Sequence, residues 1–92
     1  MINLCINTPG ELGKLIASNV KARRKSCKLS IRSLSEKSAV SYGSIKRFEA
    51  TGQIALTSLL KIAIVLDCAD GFEQLFARKE PQSIQEILDG NL

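Results

Sequence analysis

Residues 29–49 read LSIRSLSEKSAVSYGSIKRFE, and this stretch decides the fold. Its apolar positions Leu34, Val40, Ile45 and Phe48 can be buried together by two short helices joined by a tight turn near Ala39, Val40 and Ser41. Ser41 is a ready N-cap, its hydroxyl placed to accept a free backbone N–H of the second helix. That helix starts Tyr42–Gly43–Ser44 and continues Ile45–Lys46–Arg47–Phe48–Glu49. Its inner face is apolar, and its outer face and first turn offer Tyr42, Ser44, Lys46 and Arg47. A short helix with a packed back and a basic, hydrogen-bonding front is what a DNA major groove admits. The pattern predicts a helix-turn-helix.

Around this centre, apart from a short N-terminal arm, the chain reads as helices. Thr8, Pro9 and Glu11 form a helix start, with Thr8 as cap, Pro9 where its missing N–H costs nothing, and Glu11 completing a capping box. The helix that follows runs to about Ser26, with Leu12, Leu15, Ile16 and Val20 on one face. The second helix is expected over residues 31–38 and the third over residues 42–51, ended by Gly52 as a C′ glycine. Thr57 is expected to cap a fourth helix whose Leu59, Leu60, Ile62, Ala63, Ile64 and Leu66 suit a central core element. Asp70 is expected to cap a short fifth helix carrying Phe72, Leu75 and Phe76. Ile2, Leu4 and Ile6 alternate with polar or small residues, a strand signal in a short N-terminal arm, residues 1–7. Beyond Pro81, a second capping box at Ser83 to Glu86 precedes Ile87 and Leu88 in a C-terminal tail, residues 78–92. The expected architecture is therefore all-α, a five-helix domain over residues 8–77 between arm and tail.

Composition narrows the function. The 92 residues suit one small domain, without room for a second, ligand-binding fold. No run reaches the roughly 18 apolar residues of a membrane span, and residues 1–7 lack the basic and apolar regions of a signal peptide. Three cysteines, Cys5, Cys27 and Cys68, with no histidine argue against a zinc site and a disulfide framework. Reduced thiols fit a cytoplasmic location. Without histidine, Gly-rich phosphate loop or paired carboxylates, the chain has no evident catalytic machinery, and neither cofactor nor small-molecule ligand is expected.

The net charge of +4 conceals an asymmetry. Between Lys21 and Arg47 nine basic residues face one acidic residue, Glu36, whereas from Asp67 onward six acidic residues face only Arg78 and Lys79. The basic part coincides with the predicted helix-turn-helix and suits phosphate contacts. Lys21, Lys25, Lys28, Arg32 and Ser41 are the candidates for them. Tyr42, Gly43, Ser44, Lys46 and Arg47 are the candidates for reading bases. Tyr42 can offer its ring to a thymine methyl or lie on the protein surface. Gly43 can allow close backbone approach or mark a place where nothing is read. Arg47 suits either a guanine, whose O6/N7 pair its fork matches, or a phosphate.

The arrangement resembles the Xre family, the lambda-repressor-like helix-turn-helix domains of phage repressors and bacterial regulators. Arg24, Leu29, Ser30, Leu34, Ser35, Val40, Ser41, Ile45, Glu49, Gly52, Leu59, Ile62, Ala63 and Leu66 stand at that family's spacing. Two positions depart from it: Ile31 replaces the family's phosphate-contacting glutamine, and Ala39 replaces its turn glycine. The resemblance implies a structural salt bridge between Arg24 and Glu49. Residues 44–63, SIKRFEATGQIALTSLLKIA, also look like the short regulators that accompany HipA-type kinase toxins.

These readings lead to double-stranded DNA as partner and to a sequence-specific transcriptional regulator, a repressor on a palindromic operator. The alternative is an antitoxin that neutralises a toxin protein and autoregulates its operon, motivated by the acidic, apolar tail. Phe72, Leu75, Phe76, Ile84, Ile87 and Leu88 are apolar residues beyond what four helices need. They either close the core or form a homodimer or partner surface.

Overall fold

The computed structural model describes residues 8–77. Among them the chain is all-α: α1 (Pro9–Ser26), α2 (Ile31–Ser38), α3 (Tyr42–Thr51), α4 (Leu56–Val65) and α5 (Ala69–Glu73). The expected readings of residues 1–7 and 78–92, including Cys5, Ile84, Ile87 and Leu88, lie outside the described residues. Among the described residues no single helix is long and apolar enough to cross a membrane. Cys27 and Cys68 are free thiols.

Local chemistry sets most helix ends. The Thr8 hydroxyl accepts the Glu11 N–H at 3.1 Å and Pro9 opens α1. Ser30 caps α2 by accepting the Ser33 N–H at 3.0 Å, and Ser41 caps α3 by accepting that of Ser44 at 3.1 Å. Gly52 ends α3 in the left-handed region at φ +84°, where glycine carries no Cβ penalty.

Two expected caps are corrected. Thr57 does not cap α4: the Leu59 N–H donates to the Ala55 carbonyl at 3.0 Å, which requires Leu56, Thr57 and Ser58 to be helical already. Ala55 is the N-cap residue and supplies no side-chain bond. Asp70 likewise lies in the first turn of α5, behind Cys68 as N-cap. In both places the helix begins before the best capping side chain, which ends up inside the first turn.

The core forms where α2, α3 and α4 meet. Leu34, Val40, Ile45, Ile62 and Leu66 are buried together, with Val20, Leu29, Ile31, Ile54, Val65 and Cys68 packed around them. A second cluster of Ala17, Phe48 and Leu59, flanked by Ile16 and Phe72, joins α1 to α3 and α4. Each fully buried Leu, Ile or Phe contributes about 1.5–3 kcal/mol relative to an exposed one. Leu34, Ile45, Phe48 and Ile62 therefore dominate the stability.

The expected faces of α1 and α4 also change. Leu12 and Leu15 remain nearly half exposed, and Ala17 is the buried centre of α1. The cause is backbone approach: a Cβ on Gly13 would stand 2.8 Å from the Gly52 carbonyl oxygen, so α1 meets the end of α3 through small residues. On α4, Leu59, Ile62 and Ala63 are buried, whereas Ile64 is 67% exposed, so the helix is embedded on one side only.

Candidate nucleic-acid interface

The α2–α3 connection is three residues long, Ala39, Val40 and Ser41. Val40 drops into the core while both its peptide groups are held by serines of α2. The Ser35 hydroxyl donates to the Val40 carbonyl at 2.6 Å, and the buried Ser38 hydroxyl accepts the Val40 N–H at 3.2 Å. Ala39 adopts φ +63°, ψ +24°, the conformation for which a glycine is the unstrained residue. This turn fixes where α3 starts.

The far end of α3 is tied to α1. The Arg24 guanidinium donates to both carboxylate oxygens of Glu49, Nε to Oε2 at 2.8 Å and Nη2 to Oε1 at 3.0 Å. Its Nη1 donates to the Leu29 carbonyl at 2.9 Å. Both side chains are more than nine-tenths buried. The hydrogen bonds to Glu49 and the attraction of its charge raise the Arg24 pKa against the opposing effect of burial. Glu49, the acid of α3, is thereby withdrawn from the helix's outer side.

With Ile45 and Phe48 buried, α3 presents Tyr42, Gly43, Ser44, Lys46, Arg47 and Ala50 to solvent. At ~100° per residue, Gly43 and Ala50 occupy the middle of this arc and the longer side chains its two flanks. No atom lies within 4 Å of where a Gly43 Cβ would be. The outer side of α3 is therefore low in the middle and raised at both edges.

One flank joins α3 to α2. The Arg32 guanidinium lies 5.4 Å and the Lys46 ammonium 5.9 Å from the centroid of the Tyr42 ring. The negative face of the ring offsets some of the repulsion between the two cations. Sequence reasoning separates Arg32, a phosphate candidate, from Tyr42 and Lys46, base-reading candidates; the fold brings all three together.

The other flank faces the start of α4, where the α3 and α4 axes bend by 99°. A cleft of about 240 Å³ is lined there by Gly43, Ser44, Arg47, Gln53, Ile54, Ala55 and Ser58. Arg47 Nη2 donates to Gln53 Oε1 at 2.6 Å. The sequence reading missed Gln53. Its only signal was proximity to the Gly52 turn, which folds the chain back along α3.

The remaining candidates are more scattered. Lys21 and Lys25 are exposed on α1, and Lys28 is exposed in the α1–α2 connection at φ +60°. The Ser41 hydroxyl is occupied locally, accepting the Ser44 N–H and donating to Ser44 Oγ at 2.8 Å. Arg23, which sequence placed in the basic run, donates through Nε to the Leu66 carbonyl at 3.2 Å and so binds the C-terminus of α4. Phe72 packs into the core, whereas Leu75 is half exposed and Phe76 is 96% exposed at φ +65°. Compared with known proteins, the chain matches no family model and no curated protein sequence.

Proposed function

We propose that this chain is a sequence-specific DNA-binding regulator of transcription, a repressor of the lambda-repressor-like, Xre kind, with α2 and α3 as its helix-turn-helix. The observation that carries the reading is the shape and charge of α3: a low centre at Gly43 and Ala50 between Tyr42–Lys46 with Arg32 on one side and Ser44–Arg47 on the other. Such a helix can seat deeply in a major groove while its flanks reach base edges and the adjoining phosphates. Lys21, Lys25 and Lys28 add backbone contacts that strengthen binding without specifying sequence. A dimer built on the exposed apolar Leu75 and Phe76 would present two copies of α3 to half-sites ~34 Å apart.

Selection of bound duplexes from a random library tests this, using the unaltered chain and Gly43→Leu. A Cβ at Gly43 meets no atom within 4 Å, and the melting temperature of Gly43→Leu checks that the fold is kept. Enrichment of a two-fold symmetric site by the unaltered chain, lost in Gly43→Leu, is the expected result. Equal, weak, salt-sensitive binding by both proteins would overturn the proposal.

A further inference from the structure

The Arg47–Gln53 pair has a consequence for what α3 can read, and it rests on the DNA-binding function proposed above. We infer that Gln53 is the positioning residue for Arg47, holding its guanidinium ready to select guanine at one base pair.

Three hydrogen bonds close a ring around the end of α3. The Thr51 hydroxyl donates to the Arg47 carbonyl at 2.8 Å and accepts the Gln53 N–H at 3.1 Å. The Gln53 amide oxygen then accepts Arg47 Nη2 at 2.6 Å. Gln53 is thus anchored through its backbone to the helix whose side chain it grips. The orientation of its amide follows from chemistry, since the nitrogen end would set donor against donor.

This arrangement restricts both side chains. A free glutamine reads adenine by accepting from N6 and donating to N7. With Oε1 bonded to Arg47, one of its two lone pairs is already engaged and the amide is fixed in the orientation that serves the arginine. Arg47 spends one of its five N–H groups on Gln53 and keeps enough for a two-donor fork. The guanidinium donors of Arg47 suit the O6 and N7 acceptors of guanine, whereas adenine sets its N6 amino group, itself a donor, against them. Arginine is among the side chains that lose most rotamer freedom when ordered, so holding it in advance lowers the cost of binding.

The test uses the full chain and its selected duplex, with each base pair replaced in turn, and compares the unaltered protein with Gln53→Ala, Gln53→Glu, Arg47→Ala and Gln53→Ala/Arg47→Ala. Arg47→Ala is expected to lose ~10- to 100-fold discrimination at one base pair. Gln53→Ala should lose several-fold at that same pair, with an unchanged melting temperature and no further effect in the Arg47→Ala background. Gln53→Glu keeps the acceptor, so it should retain the guanine preference while its added charge weakens binding to all sequences. NMR relaxation of the Arg47 Nε–H in the free protein should show faster motion in Gln53→Ala than in the unaltered chain. Intact guanine preference in Gln53→Ala, unchanged Arg47 motion, or an equal effect in both backgrounds would overturn the positioning role. A uniform loss in Arg47→Ala would move Arg47 to the phosphate backbone and overturn the selection of guanine. Failure of the unaltered chain to discriminate any sequence would refute DNA reading itself, and is recognised without any Gln53 variant.

Discussion

Replacing Glu49 by alanine should remove a large share of the domain's stability, because it strands the buried Arg24 guanidinium. Glu49 accepts two hydrogen bonds from Arg24, at 2.8 and 3.0 Å, with both side chains more than nine-tenths buried. The substitution leaves a buried guanidinium with only the Leu29 carbonyl as partner. Stranding one member of a buried ion pair typically costs about 3–5 kcal/mol. A domain of this size has only about 5–14 kcal/mol in total. Arg24 does not escape by losing its proton, because a guanidinium stays protonated inside a protein.

Urea unfolding followed by circular dichroism measures the effect for Glu49→Ala, Arg24→Met and the double variant. Each single change should lower stability by roughly 3–5 kcal/mol, seen as a lower midpoint at an unchanged denaturant slope. The double variant should lose much less than the sum, because two apolar side chains strand no charge. Glu49→Gln retains one acceptor and should fall in between. Single losses below ~1 kcal/mol with additive behaviour in the double variant would be the signature of an exposed pair. They would refute the claim that this bridge fixes α3.

Ala39→Gly should raise stability by up to about 1 kcal/mol, because relief of the left-handed strain exceeds glycine's entropy cost; thermal unfolding would show a melting point a few degrees higher, and no increase would count against a strained turn. Gly13→Ala should cost about 1–3 kcal/mol by forcing a methyl to 2.8 Å from the Gly52 carbonyl oxygen. Gly52→Ala should cost more, since it adds an unfavourable φ to a 2.7 Å clash with backbone, and unfolding of the two variants side by side checks the order. Neutralising Lys25 or Arg32 should reduce the slope of log affinity against log salt by ~1 if each contacts a phosphate, which a salt titration of duplex binding reads directly.

What the sequence makes legible here is local, and what it hides depends on distance. Ser41, Gly52, Thr8 and Pro9 sit at the helix ends they were expected to set, because cap chemistry acts within three or four residues. The same reasoning misplaces Thr57 and Asp70, since a suitable hydroxyl or carboxylate does not oblige a helix to wait for it when the preceding residues can already bond. Leu12 and Leu15 are expected on a buried face, yet contact through Gly13 and Ala17 leaves them half exposed. Periodicity identifies a face but not the depth to which it is pressed. Gln53 was invisible for a related reason: its partner lies six residues away across the Gly52 turn, and only the folded path brings the amide to Arg47.

These features converge on α3. A ten-residue helix does not persist alone in water, because its nucleation is too costly for so few bonds. Its existence and its direction therefore come from the same attachments. The serine-braced turn at Val40 holds its start, Ile45 and Phe48 its back, Glu49 and the Gly13–Gly52 contact its end, and Gln53 the side chain of Arg47. Among these, only the Gln53 link can be cut without loss of buried surface, of a buried charge or of a buried or half-buried hydrogen bond. Substitutions at the other attachments should weaken folding and DNA binding together, whereas Gln53 should separate specificity from stability. That separation distinguishes a residue that builds the helix from one that aims it.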